Sequence, residues 1–323
     1  MKTISSRRLF ALTLTGLLGL AGMSHAQSTK PLTIVVPFSP GGGTDTSARL
    51  LSQALGSKLG QTVIIENKPG AAGVIGADLV ARAQADGNTL LFGNIGTQSI
   101  NPILYKKLPY DAKQAFAPVS LIAELPQVLL VHPSVQAKDV PGLIQLLKAQ
   151  PGQLSYSTSG AGSSMHLAAE MFKNATNTEI QHVPYKGGGP AIADLLAGHV
   201  QLAFATVLES MGHIKSGKLK ALAVTGDKRM TVLPDVPTVA ETVPGFKSIS
   251  WVGVLAPAKT PQATIDKLAT TLKDTVAQPE VSQKLNDQGA VARTSTPAQF
   301  AALIQSDYST YSKLIADKGI TAE

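Results

Sequence analysis

Short apolar runs of strand length alternate with helical periodicity along almost the whole chain, and this alternation limits the possible folds more than any other feature. Parallel strands need long crossovers that cover the sheet. Strands and helices taken in turn therefore predict an α/β fold, with parallel sheets between helical layers. The first strand is predicted over residues 32–37, and Ala48, Leu51, Leu55 and Leu59 follow at the spacing of one helix face. Residues 62–66 return to strand and 74–83 to helix, and a strand over 89–92 ends in Gly93, Asn94, Ile95, Gly96 and Thr97. Further strands are predicted at 128–131, 154–156, 180–183, 200–205 and 219–224, with helices at 143–149, 164–173 and 191–197. Helical patterns cover 263–276, 281–288 and 297–318, and there is no repeat of fixed period.

Two strand-to-helix junctions are rich in glycine. In the first, Phe38, Ser39, Pro40, Gly41, Gly42 and Gly43 lead into Thr44 and Asp45. In the second, Ser157, Thr158, Ser159, Gly160, Ala161, Gly162, Ser163 and Ser164 lead into His166 and Leu167. A glycine run lets backbone approach a ligand, and the helix that follows points N–H groups at it, which suits an anion. Two such loops, more than a hundred residues apart, point to a ligand gripped from two sides.

Individual residues leave alternatives open. Asp45 either caps its helix or stands near the ligand, where it would act on selectivity because it repels a carboxylate. Ser159, Ser163 and Ser164 offer hydroxyls to a ligand, to the helix N-terminus, or to both. His166 is a packed residue or a ligand contact. Tyr185, before a third glycine run at 187–189, lines the cleft or serves packing. Asn94 and Thr97 stand at a strand end, where open α/β sheets place ligand residues. The candidate ligand set is Phe38, Ser39, Gly42, Gly43, Thr44 and Asp45 from the first loop, and Ser157, Ser159, Gly162, Ser163, Ser164 and His166 from the second. Asn94, Thr97, Tyr185 and Thr206 complete it. Glu209 and His213 have i, i+4 spacing but no second histidine follows, so they read as helix surface and no metal site is expected.

Residues 1–26 are predicted to be a cleavable leader. Lys2, Arg7 and Arg8 form a basic start, residues 9–23 an apolar stretch, and Ser24, His25 and Ala26 a small-x-small cleavage site. The apolar stretch is shorter than the roughly 20 residues of a membrane span. A protein exported to the periplasm is expected, by the Sec route rather than the twin-arginine one that Arg7 and Arg8 resemble. There is no cysteine, so the core must suffice without disulfides. With 44% hydrophobic residues it can, and the length favours two domains. The formal charge of +7 falls to about +4 without the leader, and no Lys/Arg cluster interleaves with aromatics, which argues against a nucleic-acid surface.

Two segments pass the chain between domains in this reading. One is 118–126 (PVSLIAELP), with proline at both ends, and the other is 247–257 (KSISWVGVLAP). The first domain then consists of 27–124 and 252–323, and the second of 125–251. No G-x-S-x-G, H-E-x-x-H, complete Walker loop or dinucleotide fingerprint after a strand is present, so no catalytic residues and no cofactor are expected. The serine-rich second loop with a distant histidine keeps a periplasmic serine hydrolase as the alternative of a different class.

Several segments occur in a characteristic order. They are Pro37 through Asp45, Glu66-Asn67-Lys68-Pro69-Gly70-Ala71-Ala72-Gly73, Tyr156 through Leu167, and Val183-Pro184-Tyr185-Lys186-Gly187. Gly217 through Thr225, Leu233-Pro234-Asp235-Val236-Pro237-Thr238, Trp251 and Pro257 follow. Together they resemble the extracytoplasmic solute receptors of tripartite tricarboxylate transporters, the Bug family, over essentially the whole chain. The resemblance implies a type II-like periplasmic-binding-protein fold, a "Venus flytrap" of two α/β domains joined by two crossings. It implies a small mono-, di- or tricarboxylate in the cleft, aromatic acids included, held by backbone amides, hydroxyls and water. It implies a monomer that delivers this ligand to the membrane subunits of the transporter, or that reports to a membrane sensor kinase. One departure is Gln201, where the family usually has an aspartate; its loss argues against an amino-acid ligand if position 201 faces the cleft.

Overall fold

The structure is a computed structural model that describes residues 30–321, and the leader expected over 1–26 lies outside the described residues. In chain order the elements are β1 (Leu32–Val36), α1 (Gly43–Leu59), β2 (Val63–Asn67), α2 (Val74–Ala81), β3 (Thr89–Asn94), α3 (Asn101–Leu104) and β4 (Phe116–Val131). Then come α4 (Val140–Ala149), β5 (Ser155–Thr158), α5 (Ser164–Thr176), β6 (Gln181–Pro184), α6 (Gly188–Leu196), β7 (Leu202–Thr206), α7 (Val207–Lys215) and β8 (Lys220–Val224). β9 (Ile249–Pro257), α8 (Gln262–Val276), α9 (Pro279–Asp287), β10 (Val291–Ala292) and α10 (Pro297–Lys318) complete the described residues.

The strands form one curled sheet in the order β2-β1-β3-β9-β4-β7-β5-β6, with β8 and β10 also paired to β4. β1 runs parallel to β2 and β3, and β5 runs parallel to β6 and β7, as the alternation predicts. The expectation of parallel sheets fails at β4 and β9. β9 is antiparallel to both β3 and β4, and β4 is antiparallel to β7 and β8. Nor are residues 118–126 and 128–131 separate segments, because they belong to the single strand β4 of 16 residues. Pro118 sits beside a register shift, and Pro126 pairs with Ile249 just before β4 exchanges β9 for β7 at Gln127. A proline cannot donate to the ladder, and these two positions are where a ladder can spare a donor.

Each half of the sheet is covered on both faces. In the half around β1, Leu51 and Leu55 of α1 and Leu268 and Leu272 of α8 pack on Ile34 and Phe92. On its other face, Val80 of α2 and Phe300 of α10 pack on Leu91 and Trp251. In the half around β5, Leu143 of α4 and Phe172 of α5 cover Leu129 and Phe204, while Ile192 of α6 and Met211 of α7 cover Val128 and Leu130. The uninterrupted apolar run at the end of β4 follows from this layering, since alternate residues enter opposite cores. Among the described residues no helix is long and apolar enough to cross a membrane.

Candidate functional site

The ends of β1, β3, β5 and β7 and the starts of α1, α5, α6 and α7 surround one small cavity. Phe38, Gly42, Gly43 and Thr44 form one wall, with Asn94 from the end of β3. Ser159, Ser164, Met165, Gly188, Thr206 and Glu209 form the facing wall, and Leu125 and Ser250, paired across β4 and β9, close it. Asn94 Nδ2 donates to Thr44 Oγ1 at 3.3 Å and ties β3 to the start of α1.

The N-termini of α1, α5, α6 and α7 all reach this cavity. They are capped in two ways. Ser163 and Thr206 cap α5 and α7 with their hydroxyls, accepting from His166 N and Glu209 N. Gly42 and Gly187 precede α1 and α6 and supply no capping side chain of their own, so both helices turn N–H groups and their positive dipole ends inward, and at α1 the first of these N–H groups, that of Gly43, is taken by a carboxylate from α7. Glycine is required for the approach itself. A Cβ on Gly43 would run into the Thr206 hydroxyl on the facing wall, and one on Gly189 into the Pro40 carbonyl.

One anionic group already occupies this wall. Glu209 Oε2 accepts from Gly43 N at 2.7 Å, and Oε1 accepts from Thr206 N at 2.8 Å as part of a capping box. Glu209 therefore joins α7 to the N-terminus of α1, 166 residues earlier in the chain. Burial pushes its carboxyl above the ordinary value, and the bonds from Thr206 and Gly43 offset this only in part. The expectation that Glu209 and His213 are helix surface is thus corrected for Glu209.

Residues 47–320 match the family model described as tripartite tricarboxylate transporter family receptor, TctC. The chain belongs to this family. The periplasmic binding protein BugD is similar in structure, with a TM-score of 0.87 and 34% identity over 90% of this chain and 98% of that one. So is Rpa4515 of R. palustris, solved with adipate, with a TM-score of 0.88 and 36% identity over 91% of this chain and 98% of that one. MatC (Rpa3494) from Rhodopseudomonas palustris, with bound malate, has a TM-score of 0.85 and 32% identity over 89% and 99%. The fold is that of TctC- and Bug-type periplasmic binding proteins, as the resemblance implied, and the family is one of solute-binding proteins rather than enzymes.

Within this family member, Phe38, Gly42, Gly43, Thr44, Asn94, Ser159, Ser164 and Thr206 of the expected set stand on the cavity wall. The others of that set have partners elsewhere. Asp45 is buried, accepts from Gly41 N at 3.0 Å, and is bonded by Arg49 and Asn67, so it secures the first loop and does not face the cavity. Burial alone would raise its carboxyl, but Arg49, Gly41 and Asn67 together bring it below its usual value. Ser39 N and Oγ both donate to Lys186 O at 3.0 Å. Thr97 closes a turn with Asn94, and Ser157 Oγ donates to Ala191 O. Ser163 is the cap described above.

Gly162 has φ +88°, a left-handed conformation that favours glycine, and its N–H donates to His166 Nδ1 at 3.2 Å. His166 is buried and stacks on His182 with ring centroids 4.3 Å apart, and burial lowers its pKa. Tyr185 donates to Asp194 Oδ2 at 2.5 Å, and burial with that bond raises its hydroxyl to about 12. Gln201 is off the cavity wall, accepting from Ser155 N and Oγ at the start of β5, so its identity says nothing about the ligand.

Sequence reasoning missed Leu125, Met165, Gly188, Glu209 and Ser250 on the wall. For Glu209 a signal existed, since Thr206-x-x-Glu209 after a strand is a capping-box pattern. Leu125 and Ser250 meet only through the pairing of distant strands, which leaves no local signal. A larger hollow of about 360 Å³ lies elsewhere, lined by Phe116, Leu255, Ile304 and Tyr308 among others. No glycine loop borders it, and its one cation, Lys113, lies over the Tyr308 ring with Nζ 5.0 Å from the centroid, so it lacks the convergent helix N-termini of the smaller cavity.

Proposed function

We propose that the protein is an extracytoplasmic receptor that closes on a small carboxylate at this cavity and delivers it to the membrane subunits of a tripartite tricarboxylate transporter. The observation that carries the proposal is the meeting of four helix N-termini at one cavity, that of α6 without a side-chain cap. Fixed dipoles and backbone N–H groups solvate a carboxylate without a cation in the wall, and water bridges the remaining distance. The adipate and malate of the two similar proteins support that ligand class. Residues 27–124 with 252–323 act as one lobe and 125–251 as the other, and β4 and β9 bend between them. The leader over 1–26 sends a monomer to the periplasm.

The space available supports closure as part of binding. The cavity offers about 30 Å³ to the centre of a water-sized molecule, and one water needs roughly 10–15 Å³ on that scale. That is room for two or three waters and not for a dicarboxylate, in keeping with lobes that part to admit ligand and close over it. The hydrolase alternative gains nothing from the site. Among the described residues no histidine, near or distant in sequence, lines the cavity, so its serines have no imidazole base there.

Thermal unfolding tests the proposal with succinate, malate, glutamate, adipate, citrate and aromatic acids as the panel. A ligand at 100 times its Kd stabilises the native state by about 2.7 kcal/mol, so at least one acid should raise Tm by several degrees. No shift from any of them, or chemical conversion of the one that binds, would refute the receptor reading.

A further inference from the structure

We infer that Glu209 sets which carboxylates the cavity accepts, selecting a ligand with a cationic nitrogen beside its carboxylate and disfavouring one that brings a second carboxylate to the same place. This rests on the carboxylate-receptor reading above and narrows its ligand class to amino-carboxylates.

The Glu209 carboxylate is held from two sides, by Gly43 N at the start of α1 and by Thr206 N at the start of α7. It also abuts the start of α6, because a Cβ on Gly188 would collide with Oε2. An internal carboxylate thus fills the place at α1 that a ligand carboxylate would otherwise take. The ligand's own carboxylate is left to the neighbouring donors at Ser159, Ser164 and the α6 N-terminus.

Among the described residues no cation pairs with Glu209. A carboxylate ion set into a small cavity without a counter-ion is costly, and weak screening there strengthens attraction and repulsion alike. Each carboxylate oxygen has two lone pairs, so accepting one backbone N–H leaves capacity for a ligand N–H. A ligand ammonium supplies the missing charge, whereas a second ligand carboxylate adds repulsion. The upward push on the Glu209 carboxyl has the same origin. The acidic residue that an amino-acid ligand calls for is absent at Gln201 but present on the cavity wall at 209.

Calorimetry with matched pairs tests this, using glutamate against glutarate, aspartate against succinate, and alanine against propionate. The amine-bearing member of at least one pair should bind at least tenfold tighter than its partner. Glu209→Gln, which removes the charge and keeps the shape, should cut that preference at least tenfold, and Glu209→Asp should retain most of it. Thermal unfolding of both variants checks that they fold, and if one does not, the other with the wild-type ratios still decides. Preference for the unsubstituted acid in every pair overturns the inference, as does equal weakening of both members by Glu209→Gln, while leaving the receptor reading intact. Failure of all six acids, together with the thermal panel, overturns both.

Discussion

Replacing Gly43 by alanine should weaken carboxylate binding by roughly tenfold to a hundredfold, the equivalent of the 1–3 kcal/mol that overpacking costs. Gly43 opens α1 on one wall, and its missing Cβ is the space into which the Thr206 side chain of the facing wall fits, with Thr206 Cβ and Cγ2 each 3.2 Å from where that Cβ would be. Thr206 caps α7 and is fixed in turn by the capping box with Glu209, so it cannot retreat without undoing both. The added methyl therefore acts as a wedge between walls that must close on the ligand. An open arrangement relieves the wedge, so Tm without ligand should fall by only a few degrees. Equal affinity for wild type and variant in calorimetry would remove the first loop from the site.

Phe300→Ala should cost about 3–5 kcal/mol of stability, the range for emptying a buried aromatic site. The Phe300 ring is fully buried, meets Trp251 edge-on with centroids 5.1 Å apart, and lies so close to Gly253 of β9 that a Cβ there would strike it. Removing it opens a void between α10 and β9, one of the two strands that join the halves of the sheet. Trp251, the single tryptophan of the chain, reports the change directly, because its Nε1 donates to Asp307 Oδ2 at 2.7 Å beside that ring. Urea unfolding followed by its fluorescence should show the lower midpoint. A loss under about 1 kcal/mol would mean that α10 is not held by this contact.

The legible parts of the fold were those with local causes. The sequence marks α10 at 297–318 because Thr296 and Gln299 form a capping box, Pro297 takes the first turn and Gly319 ends the helix in a left-handed conformation. The first glycine loop and the Asn94 strand end were legible because strand, glycine run and helix start coincide there. β4 was not, since Pro118 and Pro126 look like linker ends until the partner exchange and register shift that accommodate them are visible. Glu209 was compared with His213 along its own helix, whereas its carboxylate reaches Gly43, and that approach exists only in the folded chain. Asp45 had two readings with one sequence signature, and its bonds to Gly41, Arg49 and Asn67 favour the structural one.

A crystal structure of the protein loaded with its tightest-binding carboxylate tests the central claim most directly. The account predicts the carboxylate between the walls formed by Gly43 and Thr44 on one side and Ser159, Ser164 and Gly188 on the other, within hydrogen-bond reach of helix N-terminal N–H groups or joined to them by water. A carboxylate bound instead in the hollow lined by Phe116 and Tyr308, with the cavity at Glu209 unchanged, would contradict it.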